Sequence, residues 1–149
     1  MRTITNKIIG LLGLAWLLGM TACNHEQEQA QLPGNEGSVS SPIDLSPDTP
    51  YWGSISKYPV GESFYRFTPA LSGDHTIALT RVSNDLDVDW LVAEYGAGSP
   101  GDPVLFCEND VTNGDEVCTV TLTANVTMLL VVENFQQSSG GYRIDIISP

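Results

Sequence analysis

The apolar positions of this 149-residue chain follow two different patterns. Residues 8–20 (IIGLLGLAWLLGM) form one uninterrupted apolar run of 13 residues. Beyond residue 41 the chain turns to short stretches in which apolar and polar side chains alternate, and no helical period is sustained. Alternation bounded by Gly, Pro, Asn, Asp and Ser marks strands. The pattern predicts them at 51–55, 63–68, 75–82, 87–94, 104–107, 117–123, 128–134 and 142–147, with a further short one at 41–45. Turn clusters separate them: Pro59-Val60-Gly61, Ser72-Gly73-Asp74, residues 96–103, Asn113-Gly114 and residues 138–141. Strands without helical crossovers pair antiparallel. The expected fold is therefore all-β, an antiparallel, jelly-roll-like β-sandwich of about eight strands.

Alternation also names the core face. Tyr65 and Phe67 share a side, as do Ile77 and Leu79, and then Val88, Trp90 and Val92. Leu105 and Cys107, Cys118, Val120 and Leu122, and finally Tyr142, Ile144 and Ile146 complete it. Residues 128–132 (MLLVV) are apolar on both sides, which predicts a central strand covered on each face.

The first run is short for a bilayer span, which needs about 20 apolar residues. It follows Arg2 and Lys7 and has the length of a signal-peptide core. It ends in Met20-Thr21-Ala22-Cys23, which resembles the lipobox of bacterial lipoproteins, with Met20 where leucine is usual. That resemblance implies a signal peptide over 1–22, diacylation of Cys23 and a stable membrane anchor. The plainer alternative is an ordinary signal peptide cut near Ala22. Asn24 after the cysteine points, by the same resemblance, to the outer membrane. Residues 24–41 (NHEQEQAQLPGNEGSVSS) are polar, and with Cys23 they read as a flexible linker over 23–41. Its reach is on the order of 25 Å. The folded domain then occupies 42–149.

Charge narrows the partners. A chain cut before Cys23 keeps four basic residues (Lys57, Arg66, Arg81, Arg143) against eighteen acidic ones, a net charge of −14. Such a surface repels nucleic acid and anionic lipid. A cation, an envelope protein or an extracellular polymer remains as the expected partner, beside the membrane reached through the lipid.

With Cys23 lipidated, Cys107 and Cys118 remain. An even pair in a secreted domain predicts a disulfide, here closing a hairpin. Zinc is disfavoured because His75 matches no zinc-ligand spacing.

Residues 49–147 resemble the bacterial pre-peptidase C-terminal domain. The resemblance rests on Gly61-Glu62-Ser63-Phe64-Tyr65-Arg66-Phe67, Ser72-Gly73-Asp74-His75-Thr76-Ile77-Ala78-Leu79, Asn84-Asp85-Leu86-Asp87-Val88-Asp89-Trp90-Leu91, Val131-Val132-Glu133-Asn134 and Gly141-Tyr142-Arg143-Ile144. The chain departs from that family in lacking a peptidase domain and in carrying the 107–118 cysteine insert. The resemblance implies a small β-sandwich of the kind that binds matrix or polymers, sometimes with calcium. No ligand set of the family maps onto this chain residue by residue.

A catalytic reading finds little support. After cleavage the histidines are His25, in the linker, and His75, at the start of a strand on its apolar side. Bridged cysteines offer no nucleophile, and no glycine-rich phosphate loop is present. The chain therefore reads as a non-enzyme. Two acidic groups are candidate calcium ligands: Asp85, Asp87 and Asp89, alternating along one strand, and Glu108, Asp110 and Asp115 in the cysteine-bridged segment. The competing reading is solvated charge, on an edge strand for the first group and at a hairpin tip for the second. The expected function is a non-catalytic, membrane-tethered binding or accessory module of the cell envelope, with calcium assisting a polymeric or protein ligand. The alternative is a structural or assembly-supporting envelope lipoprotein with no ligand of its own.

Overall fold

A strand that alternates apolar and polar side chains hides one side only, so two sheets must meet face to face. The computed structural model describes residues 35–57, 59, 61–82, 85–108 and 114–149. Its strands are β1 (Ile43–Asp44), β2 (Tyr51–Ile55), β3 (Glu62–Phe67), β4 (Gly73–Arg81), β5 (Val88–Gly96), β6 (Ser99–Cys107), β7 (Glu116–Leu122), β8 (Met128–Asn134) and β9 (Gly140–Ile147). One sheet has the order β1-β3-β8-β5-β6 and the other β2-β9-β4-β7. All pairs are antiparallel except β1 with β3. The expected sandwich is the observed one.

Between the sheets lie the residues the alternation named, including Tyr65, Phe67, Ile77, Leu79, Val88, Trp90, Val92, Tyr142, Ile144 and Ile146, all buried. The doubly apolar β8 is the middle strand of its sheet. Met128, Leu130 and Val132 face the core, and the outward Leu129 and Val131 are also buried.

Two expectations are corrected at the sandwich edge. Residues 96–103, read as a turn, are mostly strand: β5 and β6 form a hairpin around Ala97 and Gly98, whose φ values of 53° and 78° suit a tight turn. Pro100 and Pro103 are tolerated because β6 is an edge strand whose register with β5 is irregular. Cys107 and Cys118 are bridged, with Cα atoms 6.0 Å apart, but they do not close a hairpin. Cys107 belongs to the five-stranded sheet and Cys118 to the four-stranded one, so the bridge ties the sheets together.

The linker boundary also moves. Residues 35–41, assigned to the flexible linker, are bonded to the sandwich as a strap; residues 23–34 lie outside the described residues. The Glu36 amide donates to Ser63 Oγ at 3.0 Å, and its carbonyl accepts from the Phe64 amide at 2.8 Å. Its carboxylate accepts from Tyr51 Oη at 2.9 Å, Tyr65 Oη at 2.8 Å and the Ser54 amide at 3.1 Å. Tyr65 and Tyr142 hydroxyls stand 2.6 Å apart. Gly53 makes room for this cluster, since a Cβ there would lie 2.6 Å from the Tyr65 hydroxyl. Burial, then the Glu36 hydrogen bond and charge, push the Tyr51 hydroxyl up to about 12. Burial comes first for Tyr65 too, ahead of Tyr142 and Glu36, and drives it further up. Both phenols stay neutral and donate to Glu36, which leaves the Tyr65 oxygen to accept from the Tyr142 hydroxyl.

Candidate functional site

The outer face of the four-stranded sheet gathers an exposed aromatic ring, an ion pair and a run of hydroxyls. On β2, Tyr51, Gly53 and Ile55 turn toward the core side, so Trp52 points out and is 63% exposed. It lies opposite Arg143 on β9, which lies opposite Thr80 on β4. One step along the face, Asp145 stands opposite Ala78, and Ala78 opposite Val117 on β7. The next row is Ile147, Thr76 and Thr119. Small side chains on β4 keep this face low.

Its charges are arranged in contact. The Arg143 guanidinium sits 5.8 Å from the centre of the Trp52 ring, and Arg143 Nε donates to Asp145 Oδ2 at 2.7 Å. A cation over an indole face is attracted to its quadrupole and fixes the ring's orientation. Beyond Asp145 lies a shallow depression of about 200 Å³ lined by Asp48, Thr49, Pro50, Asp145, Ile146 and Ile147. Asp48 adopts a positive φ of 62°, and its carboxylate accepts from the Ser148 amide at 2.9 Å and hydroxyl at 2.7 Å. Those two hydrogen bonds, the amide first, hold the Asp48 carboxyl below the usual range. Aromatic plate, guanidinium, carboxylates and depression follow one another along β9, over roughly 14 Å at two residues per step. Such a row can stack on one ring of a flat ligand and hydrogen-bond to its neighbours.

The residues singled out from sequence lie elsewhere. Cys23 and Asp110 fall outside the described residues. Asp87 and Asp89 do share the outward side of one chain segment, as alternation required, but β5 is flanked by β8 and β6, so the edge-strand reading is corrected. Asp87 Oδ2 accepts from Gln136 Nε2 at 3.3 Å, which ties down the β8–β9 connection. Asp85 is exposed in the preceding turn, and its carbonyl accepts from the Ser138 hydroxyl. Glu108 is exposed, and Asp115 Oδ1 accepts from the Arg81 amide at 3.2 Å. Among the described residues, no three His, Cys, Asp or Glu side chains come together to hold a metal. His75 is wholly buried, with Nδ1 3.1 Å from the Gly73 carbonyl.

Two acids have roles that the sequence reading did not give them. Glu36 is the clasp of the strap. Glu116, at the start of β7, is only 3% exposed, and its carbonyl accepts from Trp90 Nε1 at 3.3 Å. Burial first, then the charges of Asp89, Asp87 and Asp115 against the relief given by Arg81, push its carboxyl up to about 7. Glu36 sits in no periodic pattern, whereas Glu116 extends the Cys118, Val120 and Leu122 side of β7, the signal that could have found it. Arg143 could have been found, since it lies between Tyr142 and Ile144, which alternation assigns to the core; Trp52 could not, because no core side was named on 51–55.

No family model and no curated protein matches the sequence. Solved structures do. The pre-peptidase C-terminal domain of a collagenase from Bacillus anthracis is 11% identical, with a TM-score of 0.57 over 78% of this chain and 99% of that one. CorA, a surface-associated copper-binding protein important in Methylomicrobium album BG8 copper acquisition, is 10% identical, with a TM-score of 0.52 over 78% and 100%. The Yersinia pseudotuberculosis-derived mitogen is 13% identical, with a TM-score of 0.51 over 68% and 85%. What the chain shares with these proteins, the pre-peptidase C-terminal domain among them, is the β-sandwich fold.

Proposed function

We propose that this protein is a non-catalytic binding module of the bacterial cell envelope, tethered through lipidated Cys23, that holds a neutral polysaccharide on the outer face of its four-stranded sheet. One observation carries the reading: the Trp52 ring is 63% exposed yet held in place by Arg143, beside the Asp145 carboxylate and the depression at Asp48. An exposed, oriented indole costs solvation in the free protein and is recovered when a flat apolar face, such as that of a sugar ring, covers it. The surplus of acids disfavours polyanions, and Arg143 is already paired with Asp145, which selects a neutral ligand. Fold likeness to a domain of a collagenase and to a surface-associated protein is in keeping with an extracytoplasmic setting.

Retention on insoluble cellulose and chitin, with an anionic polymer as control, tests the ligand. Wild-type protein should bind one of the neutral polymers, and Trp52→Ala should weaken that binding about tenfold without loss of thermal stability. Failure of the wild type on both neutral polymers contradicts the ligand class. The tether is tested separately: Cys23→Ala should leave the membrane fraction or accumulate as precursor, and wild-type-like processing with membrane retention contradicts it.

A further inference from the structure

The opposite outer face, that of the five-stranded sheet, has a different surface. Register places Phe64 on β3 opposite Val131 on β8, Val131 opposite Leu91 on β5, and Leu91 opposite Phe106 on β6. This apolar row crosses four strands, and it ends in Phe106 at 61% exposure, beside Val104 at 48%. On one side of the row the strap closes the face: Tyr95, outward on β5, donates its hydroxyl to the Val39 carbonyl at 2.7 Å. Here Leu129 is 1% exposed. On the other side the next register row is Glu62, Glu133 and Asp89, all acidic. Burial, then the charge of Glu62, raises the Glu133 carboxyl above its ordinary value.

Among the described residues, the three arginines are engaged elsewhere. Arg66 forks onto Asp44 at the strap end, Arg143 pairs with Asp145 on the other sheet, and Arg81 reaches the Leu86 carbonyl at 3.0 Å. Among the described residues neither Glu62 nor Glu133 has an ion pair. An apolar row bordered by one row of like charge fits a polypeptide segment that carries an apolar row beside a row of Lys or Arg. A second copy of this chain would bring acids against acids, and an anionic bilayer would be repelled.

We propose that the Phe64–Val131–Leu91–Phe106 row and the Glu62–Glu133–Asp89 row form a docking surface for a cationic amphipathic segment of a partner protein. The surface is separate from the Trp52 face, so the module joins a polymer to a protein. Charge steers the approach and sets orientation, and burial of Phe106 supplies the contact energy.

The test titrates full-length protein with an alternating Leu–Lys peptide and with its Leu–Glu counterpart. The Leu–Lys peptide should bind, more weakly at high salt, and the Leu–Glu peptide should not. Phe106→Ser, and separately Glu62→Gln with Glu133→Gln, should each weaken binding about tenfold. Glu94→Gln with Asp102→Asn removes the same charge from exposed sites off these rows and should change it less than about twofold. Thermal melts of each variant establish that it is folded. Equal losses in the two double variants would reduce the effect to net charge and overturn the proposal. So would absence of Leu–Lys binding, or self-association abolished by Phe106→Ser. Trp52→Ala should leave peptide binding intact, so the two faces fail or stand independently.

Discussion

The two outer faces of this sandwich begin from the same rule and end with different surfaces. On β2, β9 and β4, the outward positions include Trp52, Arg143, Asp145, Ile147, Thr76, Ala78 and Thr80: one large ring and one exposed isoleucine beside small and hydroxylated neighbours. On β3, β8 and β5, they include Phe64, Val131, Leu91, Leu129 and Ala93, with Arg66 and Tyr95 toward the strap and acids gathered into the adjoining row on the other side. A face built on Thr and Ala stays flat and wet, and suits a ligand rich in hydroxyls. A face built on Phe, Leu and Val is only partly covered by its own strap and suits a folded or folding polypeptide. Alternation decides which residues point outward; the side chains at those positions decide what the face can hold.

The largest expected effect strikes both faces together. The disulfide joins β6, which carries Phe106, to β7, which carries Val117 opposite Ala78. Cys107→Ser with Cys118→Ser should cost on the order of 3 kcal/mol in denaturant unfolding and should weaken both binding activities near the midpoint. A variant that loses one activity and keeps the other at full strength would show that the faces do not share this tie.

Removing the clasp separates them. Glu36→Ala leaves the Tyr51 and Tyr65 hydroxyls and the Ser54 amide without their carboxylate acceptor. Stability should fall by about 2–3 kcal/mol, the cost of losing hydrogen bonds to a charged group. The strap should loosen, and a hydrophobic dye should report newly exposed surface around Leu129, with the Trp52 face still competent. No change in stability would mean that the strap is held by its backbone bonds alone.

Glu116 lies between the sheets and should shift stability through pH. Its carboxyl is raised from 4.5 to about 7, so the native state keeps a proton that the unfolded chain releases. That contribution favours folding at low pH and is lost as pH climbs from about 4.5 to about 7. Glu116→Gln should therefore stabilise the protein at pH 8 by on the order of 2 kcal/mol and change little at pH 4. A stability difference equal at both pH values would contradict the raised carboxyl.

Much of this architecture was legible in the chain. The doubly apolar MLLVV segment marked the middle strand, and Tyr142, Ile144 and Ile146 marked the core side of β9. The Cys107–Cys118 pairing was expected of a secreted domain with one even pair, and the two are bridged. What escaped depended on long-range packing. Pro100 and Pro103 read as turn residues because their tolerance requires knowing that β6 is an edge. A short connection from Cys107 to Cys118 looks the same in sequence whether it closes a hairpin or crosses between sheets. Glu36 sits in a polar stretch with no period, and its phenolic partners are 15 and 29 residues away. The acids named as calcium candidates were chosen by density along the chain, and one of them, Asp110, lies outside the described residues.

Paired point variants on the two faces, read in one polysaccharide-retention assay, test the central claim most directly. Trp52 and Phe106 are similarly exposed, at 63% and 61%, so each can be replaced without opening the core. Trp52→Ala should lose retention about tenfold while Phe106→Ser retains the wild-type level. Retention that survives Trp52→Ala, or falls equally in both variants, would contradict the assignment of the four-stranded face as the ligand site.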